Sequence, residues 1–246
     1  MPAPAAPLPT VRRLEQLFTE VTAKPLWAPP NFWRYLRLCS RVRLRFARLE
    51  AMTMVPPPGK VNHCAACLDN CCIGKHASVP LRLRDIATLI DVGRTDLMTH
   101  ARPAFADAEL AERPALRRQL GSAAWAIFPR LRQTRYYACL ALSTAGQCTL
   151  YPHWPLSCAR FPYALDVGGR EIFYSRRCDA FWVRPSARER ATAMAAGAVA
   201  AYNETIKDFI LLSYARAALQ ELGLAQYLRQ DDAGAAVDTT TEPMGQ

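Results

Sequence analysis

Nine cysteines, eight of them in a distinctive pattern, constrain this chain more than any other feature. The spacing is Cys64-x2-Cys67-x3-Cys71-Cys72, then Cys139-x8-Cys148-x9-Cys158-x19-Cys178. Four thiols within nine residues, flanked by polar groups, are a poor fit to thiols that serve only as small buried hydrophobes. A short C-x2-C loop lets two sulfurs converge on one ion, and distant cysteines on turns or strands complete the tetrahedron. The candidate ligands are therefore Cys64, Cys67, Cys71, Cys72, Cys139, Cys148, Cys158 and Cys178. Zinc and iron, including a 4Fe-4S cluster, both accept four thiolates, so spacing does not choose between them. Neighbouring side chains of an extended backbone point to opposite sides, so Cys71 and Cys72 suit two metal centres, or one metal and one packing contact. A vicinal disulfide or redox pair is the competing reading. His63, His76 and His153 bracket or interrupt the two cysteine groups, as alternative ligands or as hydrogen-bonding neighbours of the metal shell. Cys39 stands apart and reads as a packed core residue.

In a reducing cytosol nine cysteines are too many to be explained by disulfides, which leaves metal ligation as the economical reason for them. The first residues, MPAPAAPLPT, lack a basic region before an apolar run, so they do not read as a secretion signal, and a cytoplasmic location is expected. No apolar stretch approaches the roughly 20 residues of a membrane span, and no membrane partner is expected. Hydrophobic residues make up 51% and charged residues 21% of the 246 positions, a globular composition with enough chain to bury a core without a metal. The net charge of +10 comes from 27 arginines and four lysines against 21 acids. Because the arginines are dispersed and no recognition motif accompanies them, nucleic acid is not an expected partner. The Arg-rich segment 34–48 is the place for an acidic protein partner, set against the plainer reading of a solvated face.

Val11, Leu14, Leu17, Phe18 and Val21 recur at helical spacing and predict a helix ending near Lys24-Pro25. A second helix is predicted from Asn31, as N-cap, to about Met54, although Val42, Leu44 and Phe46 alternate as a strand would. Pro56-Pro57-Pro58-Gly59 stops it and leads into the aperiodic cysteine loop His63 to His76. Two short helices follow, Arg84 to Ile90 and Thr95 to Ala101, divided at Gly93. Residues 102–124 read as partly helical. Thr134 to Leu142 and Cys148 to Tyr151 read as strands around a turn at 144–147. A second hairpin joins Tyr163 to Val167 with Glu171 to Ser175 through Gly168-Gly169. Ser186 and Glu189 form a capping box opening a long helix to about Leu222, bent near Gly197 or Asn203.

The cysteine region resembles the YkgJ-type cysteine-cluster proteins, whose domain is described as chelating zinc or iron, and the flagellin lysine N-methylases are similar there. The resemblance rests on Cys64-Ala-Ala-Cys67 through Cys71-Cys72, Asp85-Ile86, Cys139-Leu140, Cys148-Thr149-Leu150-Tyr151, Pro155-Leu156-Ser157-Cys158 and Phe161-Pro162. It covers about residues 60–180. Trp154 and Ala159 stand where the family usually has arginines, with Arg160 one position on. The resemblance thus implies ligation by the cysteines more than any reaction that needs those two guanidinium groups.

The motifs G-x-G-x-x-G, G-x-S-x-G and H-E-x-x-H do not occur, and Gly59-Lys60 lacks the upstream glycine of a P-loop. Whether the chain is an enzyme is left open. The expected fold is α+β: small β-hairpins and a cysteine-rich metal-binding loop packed against N-terminal and long C-terminal helices. The expected organisation is a leader at 1–10, N-terminal helices at 11–55, the cysteine-cluster domain at 60–180, a helical region at 186–228 and a disordered tail at 231–246. The expected function is metal binding. An iron-sulfur enzyme, redox or lysine N-methyltransferase-like, and a basic adaptor for an acidic partner are the rivals. Tyr151, Trp154, Phe161 and Tyr163 surround the second cysteine group in sequence, either as an apolar shell that limits solvent access to the metal or as plain core packing.

Overall fold

The computed structural model describes residues 8–40, 42–54, 72, 79–100, 128–136, 138–161, 163–165, 171–174 and 188–228. Helix α1 (Pro9–Thr22) begins with proline in its first turn, where a missing N–H costs nothing. It turns Val11, Leu14 and Leu17 inward. The backbone N–H groups that open an α-helix have no partner within it. Here Asp91 supplies one, accepting from the N–H of Thr10 at 2.9 Å and of Val11 at 3.3 Å, and from the Thr10 hydroxyl. Asp91 ends α3 (Leu83–Asp91), so one carboxylate ties the start of one helix to the end of another. Helix α3 buries Leu83, Ile86, Ala87 and Leu89 against α1, and Gly93 stops it with φ of 68°, a left-handed conformation open to glycine.

A long helix crosses all of this. Its 27 residues, Arg188–Tyr214, form α5 once α2 (Phe32–Cys39) and α4 (Leu156–Arg160) are counted. Ala195, Ala198 and Val199 pack on the small sheet, Ile206 and Ile210 on Leu38 of α2, and Leu211 joins the α1–α3 core. The helix runs through Gly197 and Asn203 and is interrupted instead at Ala215, before α6 (Arg216–Glu221). Gly197 has a packing role: a Cβ there would meet the backbone of Arg160 at 3.4 Å, so α4 lies close against α5.

The sheet order is β1 (Thr53–Met54), β5 (Glu171–Tyr174), β4 (Tyr163–Leu165). The predicted 163–175 hairpin is present as the antiparallel pair β4–β5, with Leu165 opposite Ile172. The parallel addition of β1, Thr53 beside Glu171, was not foreseen. A second, two-stranded sheet pairs β2 (Met98–Thr99) with β3 (Arg130–Leu131). The fold is thus a mix of helices and small sheets, the α+β class.

Three expectations need correction. The helix predicted from Asn31 to Met54 ends at Cys39, and residues 42–48 are largely non-helical. There Val42 and Leu44 are half-buried between exposed Arg43 and Arg45, but Phe46 is exposed and Ala47 buried, so the alternation breaks after Leu44 and neither the helix nor the strand forms. The helix predicted from Thr95 shrinks to a single 3-10 turn, Thr95–Leu97, because Met98 and Thr99 pair with the 130–131 strand. The strands at 134–142 and 148–151 reduce to isolated bridges, Gln133 with Cys139 and Leu142 with Cys148, although the intervening turn is present. The segments 55–71, 101–127 and 229–246 lie outside the described residues, as does Ser186.

Candidate metal centre

Between β3 and α4 the chain runs through successive tight turns, and these turns place the cysteines. The Thr134 hydroxyl accepts from the N–H of Tyr136 at 3.2 Å and of Ala138 at 3.1 Å, and the Thr134 N–H donates to Ala138 O at 2.7 Å. Short polar side chains close turns in this way. The turn delivers Cys139 opposite Gln133, 8% exposed, with its N–H donating to the carbonyl of Cys72 at 2.8 Å. The last member of the first cysteine group is thereby hydrogen-bonded to the first member of the second. A further turn, with Gly146 at φ of 74° and Ser143 N–H donating to Gln147 O at 2.8 Å, sets Cys148 opposite Leu142. Cys72, Cys139 and Cys148 belong to one apolar cluster that also holds Leu131, Ala141 and Leu150.

Cys158 lies on α4 and is exposed. One carboxylate fixes the start of that helix. Asp85 Oδ1 accepts from Leu156 N–H at 2.9 Å, and Oδ2 accepts from Arg82 N–H at 2.9 Å at the start of α3. The Ser157 hydroxyl adds a bond to Pro80 O at 3.3 Å. Sequence reasoning valued Asp85 only as part of the family resemblance. Its position three residues after Arg82, in the first turn of a helix, was the signal for a capping role. Burial raises the Asp85 carboxyl to about 6, against the lowering effect of the Leu156 and Arg82 N–H groups and the Arg82 charge. Asp208, from α5, is likewise pushed well up by burial, opposed by Arg82. Burial and then Arg82 lower the Arg160 guanidinium. Arg82, Asp85, Arg160 and Asp208 therefore form a polar layer where α3 and α4 meet α5.

The eight candidate ligands divide evenly. Cys72, Cys139, Cys148 and Cys158 are described; Cys64, Cys67, Cys71 and Cys178 lie outside the described residues, with His63 and His76. Among the described residues no three His, Cys, Asp or Glu side chains gather as an ion requires. The described thiols are of the right chemistry, and two come from separate groups joined at the backbone, but they do not complete a coordination shell without the others. His153 is half-buried beside the turn at 148–151.

One side-chain expectation is overturned. Cys39 is exposed, because α2 presents Leu38 to α5 and the next residue, about 100° round the helix, faces outward. No aromatic shell is seen among the described residues: Tyr151 and Trp154 are exposed against each other, ring centroids 5.2 Å apart, and Tyr163 packs with Ile172 in the core beneath α5, as plain core packing has it. His100 follows β2, with Nε2 3.0 Å from Tyr227 O.

The chain matches no family model, no curated protein and no solved structure.

Proposed function

We propose that this chain is a metal-binding cysteine-cluster protein that holds zinc or iron through Cys64, Cys67, Cys71, Cys72, Cys139, Cys148, Cys158 and Cys178. The observation that carries the reading is the 2.8 Å bond from Cys139 N–H to Cys72 O, which joins cysteines 67 positions apart in sequence. The C-x2-C spacing of Cys64 and Cys67 supplies the short loop that a tetrahedral site uses. The apolar cluster around Cys72, Cys139 and Cys148 supports it further, since a low-dielectric wall limits solvent access to a bound ion. Metal is held by the thiolate, so binding releases protons. The hydrogen bonds of Thr134, Ser143 and Asp85 orient the backbone from which three of the thiols project.

Anaerobic purification followed by elemental analysis and a visible spectrum tests the proposal. A brown protein with iron and sulfide assigns an iron-sulfur cluster and favours the redox or methyl-transferring enzyme; a colourless protein with stoichiometric zinc assigns a structural ion. Protein that stays metal-free after anaerobic reconstitution with either metal overturns the reading.

A further inference from the structure

The surface formed by α2 and its flanks is unlike the rest of the molecule. Five of the nine large apolar side chains exposed among the described residues fall in one stretch of twenty: Trp27, Phe32, Trp33, Leu36 and Phe46. Trp33 is 80% exposed and Trp27 59%. On α2, Phe32, Leu36 and Trp33 share one outward stripe, while Leu38 faces α5. The surrounding charge has a single sign. Between Glu20 and Glu50 there is no acid, and the interval holds Lys24, Arg34, Arg37, Arg41, Arg43, Arg45 and Arg48. Arg34 sits over the Tyr214 ring at 5.6 Å. Arg37, Arg43, Arg45 and Arg48 are exposed and make no salt bridge to a described residue.

We propose that this face docks on the surface of an anionic phospholipid membrane, with Trp27, Phe32, Trp33 and Leu36 entering the headgroup boundary and the arginines facing lipid phosphates. Protruding tryptophans flanked by arginine are the chemistry of interfacial binding, in which indole rings lodge at the headgroup level and guanidinium groups pair with phosphate. An acidic polypeptide would satisfy the same charge but leave the exposed indole rings in water, whereas the headgroup boundary takes both the rings and the charge. No described helix is long and apolar enough to cross a membrane. That observation concerns crossing helices and leaves docking on a surface untouched.

Sedimentation of the full chain with lipid vesicles tests the proposal. Binding is expected to vesicles of phosphatidylcholine mixed with phosphatidylglycerol, and not to phosphatidylcholine alone. It should weaken as salt rises, with a blue shift of tryptophan emission. Trp27→Ser with Trp33→Ser should weaken binding about ten-fold and abolish most of the shift. Arg43→Gln and Arg45→Gln should each cost about five-fold. All four positions are exposed, so unchanged far-UV circular dichroism is expected of the variants. No binding to anionic vesicles at low salt overturns the proposal, as does binding that these substitutions leave unchanged. Capture by polyglutamate with no vesicle binding also overturns it and assigns the face to an acidic protein.

Discussion

The α1–α3–α5 region and the 133–161 region are built on different physical terms. In the first, Leu81, Leu83, Ile86 and Leu89 are at most 1% exposed, in or beside a helix whose opening N–H, that of Arg82, finds a carboxylate partner in Asp85. Each such burial contributes roughly 1.5–3 kcal/mol, and the helices need nothing beyond the chain. In the second, Cys139 and Cys148 ride on turns and single β-bridges, and Cys158 on a helix of five residues. Helices that short are marginal alone, and single bridges lack the cooperativity of a sheet. The second region therefore leans on its neighbours, through the Cys72 carbonyl and the Asp85 carboxylate, and on the metal proposed for it.

Replacing one cysteine gives the largest expected effect. Cys139→Ser should abolish tight binding at its site and with it an apparent folding contribution on the order of 10 kcal/mol, read as lost metal by elemental analysis and a collapsed near-UV spectrum. Far-UV ellipticity should fall little, because the helices do not depend on it. If Cys139 is only a packed thiol, serine costs about 1 kcal/mol and metal content is unchanged, and the contrast between the regions loses its cause. The reciprocal substitution is Ile86→Ala. It should cost about 2–5 kcal/mol in urea denaturation while leaving the metal stoichiometry intact. Loss of metal from this variant would show that the two regions fold as one unit.

The same contrast explains what sequence could reveal. Val11, Leu14 and Leu17 announce α1 because a helix repeats its inward face, and Gly168-Gly169 between two apolar runs announces β4–β5 because such a pair suits a tight hairpin turn. Residues 42–48 carried both periods, and no local rule decided between them; Asn203, reaching from α5 to hold Ala47, belongs to tertiary structure. Parallel pairing of β1 with β5 links residues more than a hundred positions apart, which periodicity cannot convey. Of the site, the spacing named the thiols, whereas the Cys72–Cys139 bond and the double use of Asp85 arise only once α3, α4 and the turns are assembled.

Asp85 joins the two regions, and its titration sharpens the comparison. The folded-state value of about 6 lies above the ordinary 3.8, so the fold favours the protonated acid. Its contribution is complete below about pH 4, declines as pH rises toward 6, and is flat above. The stability of the native chain minus that of Asp85→Asn should fall through this window by an amount on the order of 3 kcal/mol, measured by urea denaturation at successive pH values. Asp208 titrates in both chains and largely cancels. A difference independent of pH would mean that Asp85 is solvated, and that the junction is looser than its hydrogen bonds imply.

The smallest effect probes a third kind of attachment. Asn203 accepts from Ala47 N–H at 2.8 Å and donates to Ala47 O at 3.0 Å, so one side chain replaces the strand partner that residues 42–48 lack. Removing it by Asn203→Ala leaves two buried backbone groups unsatisfied, at a cost of about 1–3 kcal/mol. Because the segment lies at the edge of the molecule, the loss should appear as local opening before global unfolding. Hydrogen exchange at the Ala47 amide should accelerate about ten-fold or more, while the Ile86 amide, bonded to Arg82 O within α3, keeps its protection. Equal acceleration at both amides would mean that the edge segment and the helical core open together, and that the boundary drawn between self-sufficient helices and attached loops runs elsewhere in the chain.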